Sequence, residues 1–290
     1  IGAYLASHPD ISIIAFTGSR EVGTRLVEVG AQLPAGQTHI KRVIAEMGGK
    51  NAIIIDADAD LDVAIPGVVH SAFGFQGQKC SAASRAIVVG GIHDAFVERL
   101  VAATQSLVIG DPQQPGNFLG PVIDAAAQER IQRVIAEGKQ RAELVTGDFT
   151  ALPDDGHYIA PHIFTNIMPD DPLGQDEIFG PVLAVLRADD FEQAIKIANS
   201  TQYALTGGVY SRHPMHLGRA REAIRVGNLY LNRKITGALV SRQPFGGFRL
   251  SGIGSKAGGR DYLLQFMEPV CVTENTLRRG FAPDIDTEES

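Results

Sequence analysis

An α/β fold built on a largely parallel sheet is expected, because strand-like runs alternate with helical ones along the chain. Two local patterns support this. The run "KNAIIID" (50–56) carries consecutive isoleucines, as a strand buried on both faces does. And "ISIIAF" passes through "TGSR" straight into "EVGTRLVEVGAQL", giving a strand, a tight turn and a helix in succession.

After that first unit, a second β-like run (39–49, "HIKRVIAEMGG") leads into the isoleucine strand. An amphipathic helix follows, with Leu61, Ala64, Ile65, Val68, Val69 and Ala72 at helical spacing. Asp60 and Asp62 suit its start, by capping and by the helix dipole. Pro66 counts against that start and is expected to shift or kink it. The helix should end near Gly77, and "RAIVVGG" (85–91) restarts as a strand. Cys80 therefore falls on a loop between a helix end and a strand start. Residues 92–109 read as helix, 110–121 as a turn-rich connection, and 125–142 as a surface helix. Strands are expected at 161–167 and 180–188, a helix at 190–201, and short strands at 207–211 and 227–232. The last stretch, "FAPDIDTEES", is polar and acidic and is expected to fray.

The 290 residues, 44% hydrophobic and 20% charged, allow one large globular domain or two smaller ones. A formal net charge of -7 argues against a nucleic-acid or anionic-membrane partner, since both need clustered positive charge. No apolar run approaches the roughly 18 residues of a membrane span, and nothing at the start resembles a signal peptide. Two cysteines, Cys80 and Cys271, cannot build a disulfide framework, so a reducing, cytoplasmic setting is expected. The chain opens at Ile1 without an initiator methionine and reads as part of a longer protein.

Several motif matches fail. "GSREVGTR" has phosphate-loop spacing, but Thr24 stands where the lysine is required. "DADADLD" imitates a calcium loop, but Leu61 replaces the required glycine and Gly67 the bidentate glutamate. "HPMH" (213–216) has no third ligand nearby, and no metal site is expected. "GIGSKA" (252–257) fits the loose dinucleotide pattern without a suitable strand before it. Taken singly, Glu46 reads as a surface charge, Cys80 as a small buried hydrophobe, and the turn at Gly18 and Ser19 as a plain strand-to-helix turn. Yet Cys80 sits in "GQKCSAASR", among small and polar neighbours. Lys79, if it faced the sulfur, would lower its pKa, as would backbone N–H groups of the loop.

The combination is more specific. "FTGSREVG", "EMGGKNAIIID", "GQKCSAASR", "DEIFGPV", "GNLYLN" and "QPFGGFRLSG" occur in this order across almost the whole chain. It resembles the aldehyde dehydrogenase superfamily. Lys79 to Ala82 around the cysteine, "TGALVSRQPFGG" and "VTENTLRRGFAP" look like the branch that oxidises glutamate semialdehyde (1-pyrroline-5-carboxylate) in proline breakdown.

The resemblance implies an aldehyde-dehydrogenase-like fold in three stretches. Residues 1–46 would be the remaining part of a Rossmann-like NAD-binding domain and 47–247 the catalytic domain. Residues 248–290 would return to the cofactor domain and supply an oligomerisation strand and tail. It makes Cys80 the nucleophile: its thiolate attacks the aldehyde to give a thiohemiacetal, hydride passes to the nicotinamide, and a thioester remains. Glu46 matches the general base that activates water for thioester hydrolysis. Gly18 and Ser19 match the turn beside the cofactor pyrophosphate, and Glu177 and Phe179 the residues that hold the nicotinamide ribose. Ser81, Gly237 and Ala238 match positions that bind the substrate's carboxylate and amino group, and Phe245 an aromatic packed on its aliphatic part. NAD is the implied cofactor, with NADP not excluded, and the substrate is a small-molecule aldehyde. The run "FMEPVCVTEN" (266–275, Phe266 to Asn275) looks like an intersubunit strand, implying a homo-oligomer. The family's amino-terminal part has no counterpart here, including its ribose-binding lysine and oxyanion-hole asparagine. Only the Cys80 N–H would then hold the oxyanion, and this polypeptide alone is expected to be incomplete as an enzyme. Two rival readings stand beside this one, another semialdehyde dehydrogenase and a folded, inactive module serving assembly. Cysteine hydrolase chemistry would need a histidine poised on Cys80, and none lies near it in sequence.

Overall fold

The computed structural model describes residues 1–146, 149 and 152–277. The order is α1 (Gly2–Ser7), β1 (Ile13–Thr17), α2 (Arg20–Gly30), β2 (Arg42–Glu46), β3 (Asn51–Ile55), α3 (Leu61–Phe73), β4 (Ala83–Val89) and α4 (His93–Gln105). There follow α5 (Ala125–Gly138), β5 (Glu143–Leu144), β6 (His162–Thr165), α6 (Pro172–Gln175), β7 (Val182–Ala188), α7 (Phe191–Ala198), β8 (Tyr203–Ala204) and β9 (Thr206–Tyr210). The remaining elements are α8 (Pro214–Ala223), β10 (Asn228–Leu231), β11 (Phe248–Arg249) and β12 (Gly252–Ile253). Seven strands form one sheet in the order β10-β9-β3-β4-β7-β6-β5, parallel except for β5 at its edge. A smaller sheet pairs β1 with β2 in parallel and β2 with β12 antiparallel.

The isoleucine strand behaves as its composition requires. Ala52 and Ile54 pack with α5, α7 and α8 on one face of the large sheet. Ile53 and Ile55 pack with α3 and α4 on the other, and every residue of β3 is buried. Such two-sided burial is why the run does not alternate. Asp60 caps α3, its side chain accepting from the Asp62 N–H at 3.0 Å. Pro66 does not shift the start, contrary to expectation: α3 begins at Leu61 and runs to Phe73 through the proline. Pro66 and Asp62, the residue whose carbonyl it cannot pair, both lie on the exposed side.

One further expectation is corrected. The helix after β4 stops at Gln105, because Ile109 instead bridges to Leu119 in parallel. The "HPMH" stretch opens helix α8, with Pro214 in its first turn. It was illegible because α8 buries only Ala220 and so lacks an apolar stripe. Residues 267–277, which hold most of the expected intersubunit run 266–275, pair with no strand of this chain and lie exposed. A strand needs a partner ladder, and no described sheet edge pairs with this segment. The tail "FAPDIDTEES" lies outside the described residues, as does the end of "VTENTLRRGFAP" from residue 278. No described helix is long and apolar enough to cross a membrane.

Candidate active site

The two sheets meet end to end around the Gly48 and Gly49 link between β2 and β3. Thr17 and Glu46 end the strands of the small sheet, while Asn51 and Ala83 begin strands of the large one. A cavity of about 820 Å³ opens here, lined by Thr17 to Glu21, Met47, Gly48, Cys80, Arg130, Asp176, Glu177, Phe179 and Tyr203. That volume suits a small-molecule site, and its position follows the rule that ligands bind beyond the carboxyl ends of parallel strands.

Cys80 reaches this cavity through a strained approach. After α3, Phe75 and Gln76 both adopt φ 58° and Gly77 φ 66°. Gly77 must be glycine: a Cβ there would stand 2.3 Å from the Gly180 carbonyl. The Cys80 loop is then pinned through its main chain. Asn51 Nδ2 donates to the carbonyls of Cys80 (2.7 Å) and Ala82 (2.8 Å), and its Oδ1 accepts from the Thr206 N–H (2.9 Å). Thr206 Oγ1 donates to the Ser81 carbonyl at 3.3 Å. Burial pushes the Cys80 thiol above its ordinary pKa, and the charges of Glu177 and Glu46 add to the rise. The N–H groups of Ser81 and Cys80 oppose it, as expected of this loop, without reversing it. Lys79 plays no such part. Its ammonium lies 5.5 Å from the centre of the Phe75 ring, a cation–π contact.

At the turn before α2, Ser19 caps the helix by accepting from the Val22 N–H at 3.3 Å. The Gly18 N–H is taken by the Glu46 carbonyl at 3.0 Å. The amides of Ser19, Arg20 and Glu21, at the positive end of the helix, have no acceptor among the described bonds and line the cavity. Gly18 contributes space, since a Cβ there would meet the Phe16 ring at 2.4 Å. Across the cavity, Glu177 Oε1 accepts from the Gly49 N–H at 3.0 Å. This packing needs Gly48, where a Cβ would fall 2.0 Å from Glu177 Oε2. Burial raises the Glu177 pKa, while the Gly49 N–H, Lys50, Arg130 and Arg20 lower it. Phe179 takes a left-handed φ of 54° and offers its exposed ring to the same space.

Glu46 lies at the junction with its carboxylate against Gly246 and Gly247. The Gly247 N–H faces it, and Oε2 is buried without a partner. Burial lifts its pKa to about 7, against the pull of that N–H and of Lys256. The structure thus gathers Cys80, Gly18, Ser19, Glu177 and Phe179 on one cavity, with Glu46 and Ser81 adjoining. Gly237, Ala238 and Phe245 lie on the loop after β10 and are not among the residues lining it. Gly237 has φ 82° and is exposed, and Phe245 pairs through two backbone hydrogen bonds with Ala257.

Sequence reasoning missed Asn51, Arg20, Arg130 and Tyr203, although Asn51 and Arg20 lie inside motifs already singled out. It also missed Arg85, fully buried, which donates to the carbonyls of Lys50 (twice), Ile197 and Ala198 at 2.8–3.1 Å. Arg85 fastens β4, just beyond the Cys80 loop, to the backbone that follows the Gly48–Gly49 link. Arg85→Leu removes all four of these hydrogen bonds from a buried site and is expected to destabilise the protein by about 3 kcal/mol. A thermal melt should fall by about 10 °C; a shift below about 2 °C would show the clamp to be dispensable.

The fold, the cysteine on its cavity and the glycine-rich junction fit a single protein family. The sequence pattern of the aldehyde dehydrogenase family matches residues 1–272, and the chain belongs to that family. It is 50% identical over 276 residues to 1-pyrroline-5-carboxylate dehydrogenase of Geobacillus thermodenitrificans, covering 94% of this chain and 53% of that protein. The proline utilization A (PutA) structure from Bdellovibrio bacteriovorus superposes with a TM-score of 0.92 at 55% identity, over 97% of this chain and 29% of that one. A Thermus 1-pyrroline-5-carboxylate dehydrogenase with bound NAD superposes with a TM-score of 0.89 at 51% identity, over 92% of this chain and 51% of that one. The chain spans about half the length of the curated relatives it matches.

Proposed function

We propose that this chain carries the nucleophile and base of an NAD-dependent oxidation of L-glutamate 5-semialdehyde, the open form of 1-pyrroline-5-carboxylate, to L-glutamate in proline breakdown. The observation that carries the reading is the single cavity shared by Cys80, the free amides of Ser19 to Glu21, and Glu177. The relatives' names support the substrate.

The residues fit a dinucleotide. Free amides at the start of α2 suit a pyrophosphate, and a carboxylate laid on the bare Gly48 leaves an oxygen for ribose hydroxyls. Gly18, Ser19, Glu177 and Phe179 would hold the cofactor, which when bound takes up the hydride. Cys80 attacks the aldehyde carbon as thiolate, and its own N–H donates to the resulting oxyanion. Once hydride has left, a thioester joins the acyl group to Sγ. Glu46, ionised above about pH 7, takes a proton from water. The hydroxide adds to the thioester carbon, and the thiolate departs as the acid is released. Ser81, Gly237 and Ala238 would meet the substrate's carboxylate and amino group, with Phe245 on its methylenes. Residues 1–46 and those from 248 onward then form the cofactor side, and 47–247 the catalytic side. Exposed Leu263, Leu264, Met267, Val270 and Val272 support subunit pairing through this segment.

With the full-length protein, pyrroline-5-carboxylate plus NAD should raise NADH absorbance. Faster turnover of succinate semialdehyde or simple aliphatic aldehydes would overturn the substrate, and carboxylate release without NADH would overturn the dehydrogenase reading.

A further inference from the structure

The stretch "GIGSKA", unsuited to a dinucleotide loop, lies against the base instead. Gly252 and Ile253 form β12 beside β2, with Gly252 directly opposite Glu46. The chain then turns, and Lys256 Nζ donates to the carbonyls of Gly227 (2.5 Å) and Gly246 (2.7 Å) and to Asn228 Oδ1 (3.3 Å). All three ammonium protons go to neutral acceptors, and no described carboxylate forms an ion pair with Lys256. An ammonium held this way keeps its full charge, and that charge acts on whatever acid lies nearby. That acid is Glu46. Gly246 stands between the two: a Cβ on it would lie 2.6 Å from Glu46 Oε1 and 3.4 Å from Lys256 Cα. The Gly246 carbonyl receives Lys256 while the neighbouring Gly247 N–H faces the Glu46 carboxylate.

We infer that Lys256 is a positioning residue for the base: it fixes the Gly246 and Gly247 turn on which the Glu46 carboxylate rests and favours that carboxylate's ionised form. The inference rests on the proposed role of Glu46 in thioester hydrolysis. The charged or titratable groups facing Glu46 are Lys256, from the loop after β12, and Cys80, from the nucleophile loop, with Glu177 beyond Cys80. Its ladder neighbours Thr17 and Gly252 carry no charge. The fields agree in direction. Lys256 lowers the Glu46 pKa, and Glu46 raises that of Lys256, which burial otherwise depresses. A cation at this distance cannot stop burial from lifting the carboxyl to about 7, but it prevents a larger rise.

The test needs no cofactor. p-Nitrophenyl acetate acylates Cys80 with loss of p-nitrophenolate, and water then cleaves the thioester to acetate and free thiol. Decay of the acetyl adduct on the full-length protein is followed by mass spectrometry across pH. Lys256→Met should take up the adduct at the parent rate, with the midpoint of its decay moved about one pH unit alkaline. Decay would then be about tenfold slower near pH 6 and unchanged above about pH 9. Lys256→Arg should keep the parent midpoint, and in a Glu46→Gln background Lys256→Met should change nothing. An unmoved midpoint, equal slowing at every pH, or an effect that persists with Glu46→Gln overturns the inference. If the parent takes no adduct at Cys80, the reading of the site falls first, and the inference with it.

Discussion

Cys80→Ala is expected to lower NADH formation by about 10⁴-fold or more, because without Sγ there is no thiohemiacetal from which hydride can leave. The fold should survive. The loop is held by the Cys80 and Ala82 carbonyls on Asn51 and by the Ser81 carbonyl on Thr206, all main-chain contacts that alanine retains. A melting temperature within about 2 °C of the parent would show that the loss is chemical. The thiol is not a preformed thiolate: burial and two nearby carboxylates hold its pKa above the ordinary value. On the proposed mechanism, activation therefore comes with binding, when a proton acceptor is at hand and the carboxylates have partners. Retained turnover in Cys80→Ala would remove the thiol from the mechanism and with it the reason for the strained turn at Phe75 to Gly77.

What the sequence disclosed about this site, and what it hid, follow from different forces. β3 and the Asp60 cap were legible because burial on both faces and an N-cap leave local residue patterns. Cys80 and Glu46 stood out only through the order of motifs, since a cysteine in a small-residue loop and a glutamate before two glycines each have an ordinary explanation. The roles of Asn51 and Arg85 were not legible. Each binds carbonyls contributed by distant parts of the chain, such as Ile197 and Ala198 for Arg85, and no local pattern records that. Lys79 shows the opposite error. Adjacency in sequence suggested an effect on the sulfur, but its side chain leaves the loop toward Phe75.

Glu46→Gln should separate the two halves of the reaction. The amide keeps the size of the side chain but cannot take a proton from water, so thioester hydrolysis should slow by roughly 10²–10⁴-fold while the first NADH still appears. In the parent, hydrolysis should rise as Glu46 ionises through about pH 7 and level off above it, and Glu46→Gln should lose that inflection. Stability gives an independent check with a definite sign. The folded pKa lies above the unfolded one, so the folded state favours the protonated acid. That contribution is complete below about pH 4.5 and is lost as pH rises through about 7. Glu46→Gln pays no such cost, so its melting temperature should match the parent at acid pH and exceed it above about pH 8. A parent and variant whose melting temperatures run parallel across this range would mean the carboxyl is solvated. Its neutral-range titration, and its fitness to act as the base, would then have no structural cause.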